Sequence, residues 1–427
     1  MKKDLEYKLI VILLSFLPIS ILIGQAVSLL NIVIISIFII AKIIILKNYD
    51  FTKSQSFILL LILYLYLLFN TFISLDTDFS FLRNFGFVRF ILLFLAVNYF
   101  FFYFKNQVFF LKVWSLVILI VIIDSYIEYS FGTNILGYGY GKDNYKERIV
   151  SFFKDEPIVA GYLNGFFFLI LGSLLSINLK KSQNNRMLII CIILSLLFLA
   201  CIIMTGERSN TIKATIGLSI FYFINSKFSI KQRLITFLSF IIVIATVLSS
   251  SSYLKYRYID RIINPIFDSD KPVMLSPQKE NFLRDNIYIK HYNSGYAVFK
   301  NHPWFGVGNK NYRIETRNNQ FIKENYIPDT HPHQIYLELL SEHGIIGTMI
   351  FLSVIFFLIF SNIKDCIISK NSLQLGAFCF LVINFLPVLP SGAFFSDLNI
   401  TLFFINLSIY IACNPSSNIF GKKIIKN

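Results

Sequence analysis

The residues best suited to acid–base chemistry cluster in one stretch, THPHQIYLELLSEHGIIG, residues 330–347. All five histidines of the chain lie within residues 291–343, and this stretch holds three of them together with two glutamates. Imidazole exchanges a proton near neutral pH, and a carboxylate near a membrane is costly enough to mark a functional position. His333, Glu338 and Glu342 are therefore candidates for proton transfer or substrate binding.

A helix over residues 335–360 would place one stripe of residues on a common face, because successive residues are turned by about 100°. The stripe comprises His333, Leu337, Leu340, Gly344 and Gly347. Small residues permit close helix packing in membranes, so we expect the glycines to face the bundle and His333 to point into the protein above them. Such a helix, about 39 Å long, exceeds the roughly 30 Å hydrocarbon layer. Glu338 and Glu342 are then either solvated at the outer surface or paired with arginine there. The functional alternative is that they take part in proton transfer or substrate binding.

Simpler roles for His333 remain open, since a histidine at a helix start also serves as a cap or as a satisfied polar side chain. His331 and His343 raise the alternative of a metal site. No acidic or cysteine residue has the spacing of a ligand set. We therefore predict no metal and no cofactor.

Arg208 is the most informative cation, because it lies in a very short loop, TGERSN, between two apolar helices on the side away from the basic loops. Positive charge in such a loop opposes the usual bias. A guanidinium stays charged and binds phosphate oxygens in a bidentate manner. Arg208 is thus a candidate ligand for a lipid diphosphate; the alternatives are a salt bridge with Glu207 and contact with a lipid headgroup.

These residues belong to a chain of 427 residues with 56% hydrophobic residues, 17% aromatics and a mean hydropathy of +0.65. The composition predicts an all-α integral membrane protein with about twelve transmembrane helices, each long enough to cross a bilayer. The expected spans are residues 9–24, 26–46, 56–75, 85–104, 108–127, 157–178, 187–204, 211–225, 234–250, 335–360, 374–389 and 397–412.

The basic residues predict the orientation, because they resist translocation. With the N-terminus inside, the basic segments all lie on the cytoplasmic side: KNYDFTK, KNQ, LKKSQNNR, SKFSIKQR, residues 364–370 and the tail GKKIIKN. Both termini are therefore expected in the cytoplasm. The same bias accounts for much of the net charge of +15, so no nucleic acid partner is expected. The five cysteines show no disulfide or zinc spacing.

Three regions follow from this pattern. Residues 1–250 hold nine helices and a medium external loop at 128–156, residues 251–334 form a large external domain, and residues 335–427 hold three helices and the cytoplasmic tail. Long ordered loops usually carry function. The medium loop ends in a cationic cluster of Lys142, Lys146, Arg148 and Lys154. In the large external domain, the sequence of residues 287–300 predicts a helix. This helix should end before HPWFGVG, because the proline and glycine of that segment break helices.

The histidine stretch resembles the bacterial O-antigen ligase and O-antigen polymerase superfamily. The hallmark of that family is a histidine followed by Asn, Ser or Gln, nine residues, a glycine, two residues and a glycine. His333, Gln334, the residues IYLELLSEH, Gly344 and Gly347 fit it without a gap. The preceding HPWFGVGNKNYR is similar to the family's Pro, aromatic, Gly, x, Gly segment, with Pro303, Gly306 and Gly308 at its defining positions.

Two further segments carry the resemblance. TGERSN is similar to the family's Thr, x, Ser, Arg motif, with Glu207 where serine is usual, and FKDEPIVAGYLNG resembles the segment that opens a central membrane helix. An arginine that the family carries before its Pro and Gly segment has no clear counterpart here. Lys290 or His291 lies nearest to that position.

The resemblance implies a metal-independent glycosyltransferase in the bacterial inner membrane, with its site on the periplasmic side. The donor would be a glycan on undecaprenyl diphosphate, and the acceptor a hydroxyl of the lipid A core for a ligase, or another lipid-linked glycan for a polymerase. On this hypothesis His333 positions or deprotonates the hydroxyl, Arg208 stabilises the leaving diphosphate, and Glu342 orients the histidine or the acceptor. The expected substrate-binding residues are Arg313, Arg148, Lys290, Glu338 and Gln334.

A transporter or flippase is the rival interpretation, in which Arg89, Asp124 and Lys213 would line a path through the membrane. The gathering of polar residues in one external loop favours the enzyme. The two halves of the chain also lack helices broken by Gly or Pro at matching positions. A membrane anchor that displays an external module is the third interpretation.

Overall fold

The computed structural model describes residues 2–104, 108–139, 148–154, 156–176, 181–263, 286–318 and 325–421, and the regular elements in these ranges are helical. The α-helices are α1 (Lys2–Ile23), α2 (Gln25–Leu46), α3 (Gln55–Phe72), α4 (Thr77–Gly86), α5 (Val88–Tyr103), α6 (Val108–Phe131), α7 (Val159–Ser176), α8 (Lys181–Met204), α9 (Arg208–Ile224), α10 (Ile230–Ser249), α11 (Ser252–Lys255), α12 (Ile287–Asn301), α13 (Tyr312–Glu315), α14 (Ile335–Phe360), α15 (Ile363–Ser369), α16 (Ser372–Ile383) and α17 (Asp397–Ala412). A π-helical turn, Tyr256–Ile263, follows α11.

The chain is a multi-pass membrane protein. Within the described ranges, nine helical segments are long and apolar enough to cross a membrane, which confirms the predicted all-α membrane class. The other three expected spans coincide with shorter helices: α9 with 17 residues, α16 with 12 and α17 with 16. Helix α16 ends at Ile383 rather than near 389, ahead of two prolines at 387 and 390 that disfavour helix.

The centre of the bundle is α7, which packs against α16 and α17. Two glycines allow this close approach. A Cβ on Gly172 would meet the backbone of Ser372, and one on Gly376 would meet the carbonyl of Phe168. Large apolar side chains that remain exposed lie mainly on outer helices such as α2, α8 and α10, where lipid would surround them.

Helix α12 is the element that organises the side of the bundle on which the histidine stretch lies. It confirms the predicted helix over 287–300, and the Asn286 side chain caps it by accepting the Tyr288 N–H at 2.9 Å. The helix packs along the first turns of α14, so its residues lie beside the histidine stretch. Of the cationic cluster predicted near residue 148, Lys142 and Lys146 lie outside the described residues.

Candidate active site

His333 lies immediately before the N-cap of α14, in the left-handed region with φ 54°. Its Nε2 is 3.2 Å from Asp329 Oδ2, where the imidazole can donate a hydrogen bond to the carboxylate. Both side chains are 30% exposed. The ring is therefore accessible from outside while Asp329 fixes its orientation. Sequence analysis missed Asp329, because an acid in a loop gives no sign of its partner before the chain is folded.

Asp329 carries its charge at the centre of a histidine cluster. The ring centroids of His291 and His331 lie 4.5 and 4.1 Å from that of His333. Burial, aided by the charge of His333, lowers the pKa of His291, and the same two causes lower the pKa of His331 to about 4. Burial alone would raise the pKa of Asp329, but the bonds to His333 and the Thr330 N–H hold it well below its usual value.

The ligand atoms of His291, Asp329 and His333 all lie within 4.8 Å of one another, a spacing compatible with a metal ion. A histidine that binds a metal usually donates its other ring nitrogen to a partner. The Nδ1 atom of His291 is buried and, among the described residues, has no hydrogen-bond partner. The cluster therefore fits an Asp–His pair better than a supported metal centre.

Gln334 caps the helix that follows the histidine. Its side-chain oxygen accepts the Leu337 N–H at 2.8 Å, and the residue is buried. A polar side chain with an acceptor oxygen satisfies a free N–H in the first turn of a helix. Gln334 thereby fixes the point at which α14 begins, and with it the place of His333.

Helix α14 is interrupted at Gly344, whose φ of 62° and ψ of −171° suit only glycine. The expected stripe does not continue across this break. Leu337 and Leu340 are only partly buried, whereas Glu338 and Glu342 face the interior. The predicted packing is confirmed for Gly344 and Gly347, which are buried against neighbouring segments, but it was wrong for Leu337 and Leu340 because it assumed an unbroken helix.

The segment 303–308 fills the break in α14. Four main-chain hydrogen bonds join them: Ile345 N to Pro303 O at 2.8 Å, Ile346 N to Trp304 O at 3.1 Å, Val307 N to Ser341 O at 3.0 Å, and Gly308 N to Glu342 O at 2.9 Å. A broken helix in a membrane must find new partners for its released main-chain groups. The Pro and Gly segment supplies them, so the two sequence motifs form one structural unit.

Glycines permit this contact. A Cβ on Gly306 would collide with the backbone of Glu342, and one on Gly344 with the backbone of Trp304. Gly347 lies against Tyr66, whose hydroxyl donates to the His343 carbonyl at 3.2 Å. The fixed spacing of the motif therefore has a steric cause.

Glu338 and Glu342 are both 2% exposed, which excludes the solvated alternative. The Glu338 carboxylate accepts the Phe394 N–H at 2.9 and 3.0 Å, and Glu342 accepts the Tyr312 N–H at 3.4 Å. Each carboxylate thus anchors an external loop to α14. The partner that orients His333 is Asp329 rather than the expected Glu342.

Arg208 is the first residue of α9. The preceding Glu207 is buried, and its carboxylate accepts the Ala160 N–H at 2.8 Å and the Asn210 amide at 2.7 Å. Burial raises the pKa of Glu207 to about 6. Among the described residues no ion pair joins Glu207 to Arg208, so the salt-bridge alternative for Arg208 is not realised.

Tyr288, in the first turn of α12, connects the arginine to the histidine. The Arg208 guanidinium carbon is 5.8 Å from the centroid of its ring. The His333 ring meets the same tyrosine edge-on, with centroids 6.4 Å apart. The two residues singled out from the sequence therefore contact one aromatic side chain.

Two more arginines accompany Arg208. Arg257, in the π-helical turn, donates from Nε to the Gly206 carbonyl at 2.6 Å. Burial, together with the nearby charges of Arg148 and Arg208, lowers the pKa of Arg257. We refer to Arg148, Arg208 and Arg257 as the arginine cluster. Sequence analysis missed Arg257, for which the one available signal was another arginine on the external side.

Arg148 is positioned by a buried carboxylate at the end of α6. Glu128 accepts the N–H groups of Val150 and Ser151 at 3.0 and 2.6 Å, and so fixes the chain directly after Arg148. The Nε atom of Arg148 is buried and, among the described residues, lacks a hydrogen-bond partner. The arginine cluster is thus arranged to accept an anion.

Arg313 and Lys290, which were also expected to bind substrate, are not members of the arginine cluster. Tyr312 packs against Val298, which lies ten residues, or about 15 Å, beyond Tyr288 along α12. Arg313 therefore lies near the far end of α12, away from Arg208. Lys290 lies beside His291 on α12, and its carbonyl accepts the Ser294 hydroxyl at 3.0 Å, but its ammonium group makes no hydrogen bond or ion pair to another described residue.

Two of the three charges that a transporter would use have structural partners. Arg89 pairs with Asp397 at 2.8 Å, and Asp124 accepts hydrogen bonds from the Ser151 hydroxyl at 2.5 Å and the Ile135 N–H at 3.0 Å. Lys213 is buried within α9. The first two contacts tie helices and loops together, which favours the enzyme over the transporter.

Comparison with known proteins supports the same assignment. No curated protein matches the chain. The family model described as O-Antigen ligase matches residues 193–352, a range that contains TGERSN, the segment 303–308, and His333 with its glycines. Members of this family are glycosyltransferase-like enzymes that act on lipid-linked glycans. The match over residues 193–352 supports the similarity of this multi-pass membrane protein to the O-antigen ligase and polymerase superfamily.

Proposed function

We propose that the protein is an O-antigen ligase that transfers a glycan from undecaprenyl diphosphate to a hydroxyl of the lipid A core. The observation that carries this proposal is that His333, which is paired with Asp329, and Arg208 of the arginine cluster both contact Tyr288. The first group can move a proton and the second can hold a diphosphate. Transfer of a glycan from a diphosphate to a hydroxyl requires both.

His333 acts as the general base. Because Nε2 donates to Asp329, Nδ1 carries no proton and is the atom that can accept one. The acceptor hydroxyl gives its proton to Nδ1 while its oxygen attacks the anomeric carbon of the donor sugar. Asp329 is a positioning residue that orients the ring and stabilises the imidazolium that forms.

The arginine cluster acts on the leaving group. As the new glycosidic bond forms, the bond between the anomeric carbon and the diphosphate oxygen breaks, and its electron pair stays on that oxygen. Guanidinium groups neutralise such charge through paired N–H donors. Arg208 is the central member, and Arg148 and Arg257 support it.

The reaction needs no metal on this proposal, because a diphosphate neutralised by arginines is already a good leaving group. The test is transfer by the purified protein in lipid nanodiscs after treatment with EDTA. Unchanged turnover is expected. Loss of turnover that one divalent cation restores would instead assign His291, Asp329 and His333 to a metal.

The site would face the periplasm, in an inner-membrane protein with about twelve crossings and both termini in the cytoplasm, as the bias of the basic loops supports. Reporter proteins fused after residue 421 and within the external domain test this orientation. A C-terminal reporter active on the periplasmic side would contradict it.

The decisive experiment replaces His333 with alanine in cells, after expression and membrane insertion have been checked. His302→Ala is the matched control, because His302 lies at the far end of α12. The expected result is loss of finished surface polysaccharide in the first variant alone, with accumulation of long lipid-linked chains. Accumulation of single repeat units would identify a polymerase instead, and normal polysaccharide would overturn the proposal.

A further inference from the structure

A second group of cations lies on the external side, apart from the arginine cluster. Arg83 and Arg89 both contact Asp397 Oδ1 at 2.8 Å. Burial, together with the charges of Arg83 and Arg313, lowers the pKa of Lys310. Four cations therefore share this region with three carboxylates, Asp397, Glu338 and Glu342.

The charges in this group are not balanced. The Glu342 carboxylate accepts main-chain N–H groups, and one oxygen of Asp397 is shared by two arginines. Among the described residues, Lys310 Nζ has no hydrogen-bond or ion-pair partner, and Arg313 Nε is buried without one. Like charges at partly buried positions repel each other strongly. An anion from outside the chain would relieve that repulsion.

The position of Lys310 is fixed by its neighbours. The Asn309 N–H donates to Asn70 at 2.8 Å, and the Asn311 amide group donates to Ser80 at 2.8 Å and accepts the Asp76 N–H at 2.6 Å. Lys310 itself is held at φ 65°, which is unfavourable for a residue with a side chain. A backbone locked in this way fixes the Cα position of Lys310 and so limits the region that its ammonium group can reach.

The Asp329–His333 pair lies between the two cation groups. Arg208 contacts Tyr288 at the start of α12, and His291, one turn later, contacts His333. Further along, Tyr312 packs against Val298 and precedes Arg313. Burial raises the pKa of Tyr312, with contributions from the charges of Asp329 and Glu342, so its phenol lies near both carboxylates.

We propose that Arg83, Lys310 and Arg313 bind a phosphate group of the acceptor, so that His333 works between a donor diphosphate and an acceptor phosphate. This inference rests on the proposed function and adds the chemical class of the acceptor. The phosphate belongs either to a phosphorylated core glycan or to the diphosphate of a second lipid-linked glycan. A compact anion with several oxygens suits two guanidinium groups and an ammonium group.

Steady-state transfer by the full-length protein in nanodiscs tests the proposal. Lys310→Met and Arg313→Gln are expected to raise the acceptor KM about tenfold each, the loss of one charge-assisted contact. The donor KM should stay within about twofold. Arg317→Gln is the matched control, because it removes one exposed positive charge from the same segment. An unchanged acceptor KM in both variants, or an equal rise in donor KM, would overturn the proposal.

Two acceptors distinguish the sources of the phosphate. If the core supplies it, enzymatic removal of core phosphates should raise the wild-type KM, and Lys310→Met should then have no further effect. If a second lipid-linked glycan supplies it, the variant should weaken transfer to that acceptor only.

A separate result would show that the proposed function itself is wrong: the wild-type protein would then transfer a glycan to neither acceptor. The phosphate site is then judged by titration with inorganic pyrophosphate. Two binding sites, of which Lys310→Met weakens one and Arg208→Lys the other, would support it. Binding that is insensitive to Lys310→Met would overturn it.

Discussion

The two ends of the histidine motif differ in how completely their main-chain groups and charged side chains are satisfied, although both ring nitrogens of His343, beside Gly344, are buried without a partner among the described residues. Around Gly344 the main-chain groups released by the kink have partners in the segment 303–308, and the two buried glutamates accept main-chain N–H groups. Around His333, one nitrogen of the ring is free among the described residues, and Arg148 has a buried Nε without a partner. Buried polar groups are normally satisfied within the protein. The glycine end is therefore the scaffold, and the histidine end is where a substrate completes the contacts.

The strongest test of the scaffold end is Gly344→Ala. The backbone at φ 62° and ψ −171° is unfavourable for alanine, and its Cβ would collide with the Trp304 backbone. We expect a loss of about 3 kcal/mol or more in the free energy of unfolding, enough to prevent accumulation of folded protein. Thermal unfolding and size-exclusion chromatography in detergent measure it.

Gly137→Ala is the control for Gly344→Ala. Gly137 also has a positive φ, of 82°, but a Cβ there would meet no atom within 4 Å. Gly137→Ala should lower the free energy of unfolding by only about 1 kcal/mol. Equal effects of the two substitutions would show that backbone strain alone, rather than the contact with the segment 303–308, explains the glycine.

Asp329→Asn is the corresponding test at the histidine end. The amide keeps the shape of the side chain but removes the charge that favours the imidazolium. We expect turnover to fall about 100-fold, while the donor KM and the unfolding midpoint change little. Asp329→Glu, which keeps the carboxylate, should retain more of the activity. An Asp329→Asn enzyme with normal turnover would contradict the role of Asp329 as a positioning residue.

Sequence analysis located the scaffold motif but missed its shape. The apolar pattern of residues 335–360 continues on both sides of Gly344, so hydropathy contains no sign of the kink. The kink is stable because the segment 303–308, more than thirty residues earlier, supplies the lost hydrogen bonds. A contact of that range has no periodic signature in a single sequence.

The residues of the candidate site likewise divide into those that the sequence located and those that it missed. His333 and Arg208 were recognisable because their chemistry is unusual where they occur. Asp329 and Arg257 were not, since an acid in a loop and an arginine in an external segment are ordinary until the fold brings them to His333 and Gly206. Glu342 was misleading for the opposite reason: its burial looked functional, but the folded chain uses it to hold a loop.

Glu342→Gln sharpens the comparison between the two ends. The amide can still accept one hydrogen bond, so we expect a loss of about 1 to 2 kcal/mol in stability from weaker anchoring of Tyr312. Turnover per folded molecule should remain within about twofold of wild type. Activity normalised to the folded fraction separates the two effects. A large loss of turnover in a stable variant would move Glu342 from the scaffold to the catalytic site.

The smallest expected effect concerns acid stability of the histidine end. Burial, with the charge of His333, lowers the pKa of His331 to about 4, whereas an unfolded histidine titrates near 6.5. Between these values the unfolded chain binds a proton that the folded chain does not, so stability falls as the pH drops from about 6.5 toward 4, by at most about 1.4 kcal/mol per pH unit from this residue. Above pH 6.5 His331 contributes no slope. His331→Gln removes the titrating group, so its unfolding midpoint should fall less steeply than that of wild type over this interval and run parallel above it. Identical slopes in the acid range would mean that His331 is as accessible to protons in the folded protein as in the unfolded chain, and the histidine end would then be more open than its contacts indicate.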